Sequence, residues 1–234
     1  TRPPTVAILG QPPKLAPIFP IKARSQVALM TRVLQVHPTH PQPRIVAQVV
    51  SELERGGVIA YPTDSSYALG CLLTGSASDE LRRIRNLRKG HLLTLICAGL
   101  SDMAVYARLD NAAFRRVKPC VPGPYTFILR ATGETPRRVQ HAKRRTVGVR
   151  VPNHPFVQAL LAEVGVPLVS TTLKLPGDTL PRTDASEIAQ ALRGRLAAVI
   201  DAGDVGTEST TVVDLTGDNP EVIRAGVGPV ELFE

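Results

Sequence analysis

Residues 56–71 read GGVIAYPTDSSYALGC: a glycine pair, a short apolar run ending in tyrosine, a proline, four small polar residues, then apolar residues again. Val58 to Tyr61 is short, apolar and bounded by turn formers, so it reads as a buried strand. Pro62 biases Tyr61 toward an extended backbone and ends the strand sharply. The segment Thr63-Asp64-Ser65-Ser66 then carries more hydroxyls than a surface turn requires. Two readings fit it. The side chains bond their own backbone as an Asx or Ser/Thr turn, or Ser65 and Ser66 face a cavity and bind a small polar ligand.

Working outward, residues 42–57 place Ile45, Val46, Val49, Val50 and Leu53 on one helical face, stopped by Gly56-Gly57. Ser76 and Asp79 resemble a capping box opening a helix that runs to about Arg88. Apolar or alternating runs at 92–97, 125–131, 146–152, 167–172, 197–203, 209–215 and 221–226 read as strands. Between them lie helices from Asp110 to Lys118, from Pro155 to Gly165, and one capped by Asp184 and Glu187. Strands and helices mix without strict alternation, which predicts an α/β (α+β) fold on a twisted mixed sheet.

The chain has 234 residues, enough for one domain of about 200 residues and an appendage. Residues 1–29 hold Pro3, Pro4, Pro12, Pro13, Pro17 and Pro20 with scattered bases, and are expected to form an irregular basic extension before a single domain at 30–234. Arg2, Lys14, Lys22, Arg24, Arg32 and Arg44 precede the first acid, Glu52, so +6 of the formal net charge of +8 lies within residues 1–51. Overall basicity alone is therefore a poor footprint of nucleic-acid binding. Cys71, Cys97 and Cys120 form neither a Cys-x-x-Cys pair nor a zinc set, so no metal ligands are assigned and a reducing, cytoplasmic setting is expected. No apolar run approaches the ~18 residues of a membrane span.

The common nucleotide loops, Gly-x-x-x-x-Gly-Lys-Ser/Thr and Gly-x-Gly-x-x-Gly, are absent. Polar strand ends recur instead. Pro122-Gly123-Pro124 makes a rigid crossing in which Gly123 admits a close backbone approach, and the strand behind it aims Thr126 at the cavity. Arg150 stands in the apolar strand VGVRVP, where a lone arginine needs either a carboxylate such as Asp214 or an anion. His154, just before Pro155, reads as a helix cap. Thr172 and Lys174 follow one strand, Ser209 precedes another, and Arg224 sits in VIRAG. Five such strand ends are the composition of a polar cavity.

In this order the motifs YPTDSSYALG, NLRKGH, PGPYTFIL, RVPNHP, TTLKLPG, ESTTVVD and VIRAG resemble the YrdC-like family of threonylcarbamoyl-AMP synthases, and within it the YciO-type branch, across about residues 33–234. The resemblance implies a twisted mixed sheet with flanking helices around a positively charged concave cavity. It implies a nucleotidyltransferase that takes L-threonine, bicarbonate and ATP, with Mg²⁺, to threonylcarbamoyl-AMP and pyrophosphate, toward N6-threonylcarbamoyladenosine in tRNA. Residue by residue it assigns Ser65, Arg150 and Ser209 to the amino acid, and Lys89, Thr126 and Arg224 to the nucleotide. Arg88, Thr172 and Lys174 take the catalytic positions.

Three family positions depart from the pattern. The family's Lys-x-Arg reads Asn86-Leu87-Arg88, with Arg85 or Lys89 as substitutes for the lysine. Its Ser-x-Asn reads Thr172-Leu173-Lys174, and a family histidine is replaced by Cys97. These changes leave open a divergent paralogue that binds or hydrolyses an adenylate, or that binds double-stranded RNA, tRNA or a ribosome, without synthase activity.

Overall fold

Alternation along the strands decides which face of the sheet each residue meets. In Thr94-Leu95-Ile96, for instance, Leu95 belongs to one apolar cluster while Ile96 belongs to another on the opposite face. The computed structural model describes residues 31–73, 75–88 and 91–233. The expected extension at 1–29 and the proposed nucleotide contact Lys89 lie outside the described residues.

Among the described residues, ten strands form one mixed sheet in the order β1-β8-β2-β3-β7-β4-β6-β5-β9-β10. They are β1 (Arg32–Gln35), β2 (Ile59–Tyr61), β3 (Ala68–Leu72), β4 (Thr94–Ile96), β5 (Tyr125–Arg130), β6 (Thr146–Arg150), β7 (Leu168–Thr172), β8 (Ala198–Asp201), β9 (Thr211–Asp214) and β10 (Glu221–Arg224). β4 runs parallel to β6 and β5 parallel to β9, whereas β7 pairs antiparallel with both β3 and β4. Six α-helices among the described residues flank the sheet: α1 (Pro43–Glu54), α2 (Ala77–Ile84), α3 (Leu100–Tyr106), α4 (Asn111–Val117), α5 (Pro155–Val164) and α6 (Ala185–Ala191).

On one face, Val46, Val49 and Leu53 of α1 meet Phe156, Leu160 and Leu161 of α5 over Ile59 and Tyr61 of β2. These helices cover the β1–β3 side of that face. The opposite face buries Leu95, Phe127, Val149, Val169 and Val213 together with Leu81 and Ile84 of α2. Fully burying one such side chain contributes about 1.5–3 kcal/mol, so two clusters of this kind hold the sheet without disulfides. The three cysteines are free and buried.

Local expectations fared unevenly. Asp184 caps α6 by accepting from the Glu187 amide at 2.8 Å, and Asp110 caps α4 through the Ala113 amide at 2.8 Å. Ser76 occupies the N-cap of α2 but its side chain makes no capping bond, and His154 behaves likewise at α5. Gly123 does permit a close approach, but to its own chain: a Cβ there would sit 2.6 Å from the Cys120 carbonyl oxygen. The strands β1 and β3 and the helix α3 go beyond the elements read from the sequence.

Candidate functional site

The face that α1 and α5 cover near β2 is open toward β10, and there it carries a cavity of about 420 Å³. Its floor is made by alternate residues of adjacent strands: Thr94 and Ile96 on β4, Gly148 and Arg150 on β6, Thr126 and Ile128 on β5. Ser170 and Thr172 of β7 extend it on one side, and Val212 of β9 on the other. The period of two puts hydroxyls, small residues and one arginine on this face while Leu95, Phe127 and Val149 fill the core behind.

Four cations reach the cavity: Arg85, Arg150, Lys174 and Arg224. Among the described residues, no aspartate or glutamate lines it. Such a wall attracts anions, because each charge in a partly desolvated recess acts at a lower effective dielectric than in water.

Arg150 is held from below. Its Nη2 donates to the Asp64 carboxylate, to Thr63 Oγ1 at 3.3 Å and to Ser65 Oγ at 3.1 Å. Asp64 also accepts from the Asn153 amide at 2.9 Å, tying the polar elbow to the approach to α5. The expected alternative partner, Asp214, is occupied elsewhere, accepting from Thr216. Arg150 is 7% exposed, and its Nε is buried with no hydrogen-bond partner. A buried unpaired donor costs free energy, so an acceptor supplied by a ligand would be strongly favoured there.

The polar elbow combines both readings of its sequence. Thr63 Oγ1 donates to the Ser66 carbonyl at 2.7 Å and accepts from the Ser65 and Ser66 amides, which is a local Ser/Thr turn. Ser66 nevertheless lines the cavity, whereas Ser65 is absent from the lining and sits beneath it, against Arg150. Gly206 presses over Ser65, since a Cβ there would lie 2.6 Å from the Ser65 carbonyl oxygen.

Across the floor, Thr126 Oγ1 and Thr210 Oγ1 are 2.9 Å apart. Arg224 donates to the Thr210 carbonyl at 2.9 and 3.1 Å and to its hydroxyl at 3.1 Å. Its pKa is lowered, first by burial and then by Arg150, which places the two guanidiniums within each other's field. Ser209 joins this wall.

Of the nine residues proposed from sequence, Arg150, Thr126, Thr172, Lys174, Ser209 and Arg224 line one cavity. Arg88 does not: it is exposed and outside the lining, and Arg85 reaches in instead. The two arginines lie on either side of Asn86, which follows the end of α2 and takes φ +49°, a left-handed conformation that asparagine tolerates. Arg85 Nε is also buried without a partner, and burial lowers its pKa. His91 and Thr94 also line the cavity; alternation with Leu93 and Leu95 is the sequence signal for Thr94, and no periodic pattern marks His91. Cys97 is fully buried in the opposite core, its thiol pushed well above the usual range by burial. No group of three His, Cys, Asp or Glu residues suited to a metal ion occurs among the described residues. Nor is any described helix long and apolar enough to cross a membrane.

This geometry frames the comparisons with known proteins. The sequence profile of the Sua5/YciO/YrdC domain, described as telomere recombination, matches residues 51–226. The chain belongs to the Sua5/YciO/YrdC family. The YciO protein of Escherichia coli K12 is 46% identical over 205 residues, 87% of this chain and 100% of its own. Its crystal structure superposes with a TM-score of 0.84 over 88% of this chain and 100% of that one. A threonylcarbamoyl-AMP synthase of Vibrio vulnificus is 36% identical over 163 residues, covering 68% of this chain and 86% of the synthase. The P. abyssi Sua5 crystal structure complexed with L-threonine matches at 25% identity and a TM-score of 0.79, over 86% of this chain and 59% of that one. The α/β fold on a mixed sheet is thus that of the family.

Proposed function

We propose that the cavity takes ATP and an N-carboxylated L-threonine and joins them as threonylcarbamoyl-AMP. L-threonine, bicarbonate and ATP would give threonylcarbamoyl-AMP, pyrophosphate and water, a step toward N6-threonylcarbamoyladenosine in tRNA. One observation carries the reading: four cations converge on a single recess without carboxylates, and Arg150 offers it a buried donor with no partner.

Arg150 Nε would donate to the amino acid carboxylate, its missing partner. Arg85, Lys174 and Arg224 would share the phosphate charge, and Thr126, Thr172 and Ser209 offer hydroxyls to the ribose and phosphate oxygens. Ile128 and Val212 supply apolar surface. Among the described residues, His91 is the one imidazole in the lining and no carboxylate joins it, and the reaction needs little proton transfer. Holding the carbamate oxygen in line with the α-phosphorus, and neutralising the developing charge, can supply most of the acceleration. Among the described residues the lining also lacks any carboxylate for a magnesium ion, so those residues do not fit a resident metal.

The test is direct. Incubation with ATP, L-threonine and bicarbonate should yield threonylcarbamoyl-AMP and pyrophosphate in equal amounts above an enzyme-free blank. Absence of both products at saturating substrates would overturn the proposal.

The outward placement of Arg88 favours a second reading, in which the cavity binds or hydrolyses an adenylate without making it. Chemically made threonylcarbamoyl-AMP would then be bound or consumed by a protein that forms none. An RNA or ribosome partner would engage the exposed bases Arg137, Lys143, Arg144 and Arg145. Such binding should weaken steeply with salt, and its absence at low salt would exclude that partner.

A further inference from the structure

Among the described residues, two glycines lie inside strands, Gly70 in β3 and Gly148 in β6. Packing accounts for the first: a Cβ at Gly70 would come within 2.6 Å of Tyr61 Cε1. Nothing comparable accounts for the second. A Cβ at Gly148 would meet Thr94 Oγ1 at 3.5 Å and Thr126 Cγ2 at 3.7 Å, which are ordinary contacts. Its φ lies outside the left-handed range in which glycine is favoured. Glycine in a strand interior lowers stability, and often marks a close approach by a ligand.

Gly148 is in the middle of the cavity floor, flanked in register by Thr94 on β4 and Ile128 on β5. Arg150 follows on the same strand and the same face, about 6.7 Å further along. The missing side chain therefore leaves a well beside the residue whose Nε lacks a partner.

We propose that Gly148 is a specificity-determining residue whose missing side chain seats the N-carbonyl–phosphate junction of the adenylate. This rests on the function proposed above. With the carboxylate on Arg150, one amino acid backbone and its N-carbonyl span the distance to Gly148. The junction lies over bare backbone there, close enough for Thr94 and Thr126 to flank it. A side chain at 148 would lift the junction off the floor while leaving the carboxylate anchor in place.

The experiment compares wild type with Gly148→Ala and Gly148→Ser. Thermal melting reports the fold. Calorimetry measures binding of L-threonine and of a non-hydrolysable sulfamate analogue of threonylcarbamoyl-AMP. Both variants should fold, with melting temperatures at or above wild type, and should bind L-threonine as wild type does. Both should bind the analogue about tenfold or more weakly, the scale set by one carbon filling a fitted pocket. Equal analogue affinity in wild type and variants would overturn the proposal. Loss of the fold in Gly148→Ala would also overturn it, since packing would then explain the glycine. Selective loss of analogue binding in a protein that makes no threonylcarbamoyl-AMP would support the Gly148 seat and remove the synthase reading. Failure of wild type to bind the analogue would remove both.

Discussion

Asp64 and Arg150, separated by 86 residues, form an ion pair beneath the cavity floor, with side chains 11% and 8% exposed. The pair locks one guanidinium nitrogen against the polar elbow and leaves Nε without a protein partner. It thereby joins the elbow at 63–66 to β6 and fixes the cation that defines one end of the site.

Removing the acid should therefore strand a buried charge. Asp64→Ala is expected to lower stability by about 3 kcal/mol, within the range for breaking a buried pair. Replacing both partners, as in Asp64→Ala with Arg150→Met, should cost less than the sum of the two single changes. Urea denaturation of the four proteins measures this, and additive effects would show that the pair is not coupled.

Arg85 and Arg88 separate the structural assignment from the one suggested by sequence. Arg85→Ala should weaken ATP binding roughly tenfold to a hundredfold, the value of one charge-assisted hydrogen bond. Arg88→Ala should leave it unchanged. Calorimetric titration with ATP checks both, and the reverse ranking would restore Arg88 to the site.

Acid should destabilise the fold through two histidines. Burial lowers the pKa of His154 and of His91 below the ordinary value of 6.5, and Arg85 and Arg82 push His91 the same way. The unfolded chain then binds more protons than the folded one, so stability falls as pH drops below about 6.5 toward the depressed folded values. His154 Nδ1 is buried without a partner and the side chain makes no capping bond. His154→Gln should therefore flatten the acid limb of a stability–pH curve without losing a cap. An unchanged limb would exclude His154 as its source.

Gly70→Ala should behave unlike Gly148→Ala. The new methyl would collide with the Tyr61 ring, a fully buried side chain whose hydroxyl is 2.7 Å from Ser170 Oγ. Overpacking of this kind costs about 1–3 kcal/mol. Denaturation midpoints measure it, and a neutral Gly70→Ala would show that the ring can move aside.

Much of the sheet was legible because its strands alternate cleanly. Thr126-Phe127-Ile128-Leu129 announces a strand with one face in the core, and Phe127 and Leu129 are there. The strand β3 is hidden because Ala68 and Gly70 carry little β-propensity; pairing with β2 and β7 makes it a strand. Short β1 depends on its parallel partner β8, a contact no local pattern reveals. Within the site, polar strand ends pointed to Arg150, Lys174 and Arg224 before any geometry was known. The choice between Arg85 and Arg88 is not legible, because both follow the apolar face of α2 and no local pattern says where the chain leaves the helix. The Asp64 partner of Arg150 was equally hidden, being fixed by tertiary contact across the elbow.

The most direct measurement is a crystal structure of the protein with threonylcarbamoyl-AMP. The ligand is expected in the 420 Å³ cavity, its carboxylate within hydrogen-bonding distance of Arg150 Nε and its phosphate beside Arg85 or Lys174. A ligand bound elsewhere, or one lying in the cavity with Arg150 Nε still unpartnered, would contradict it.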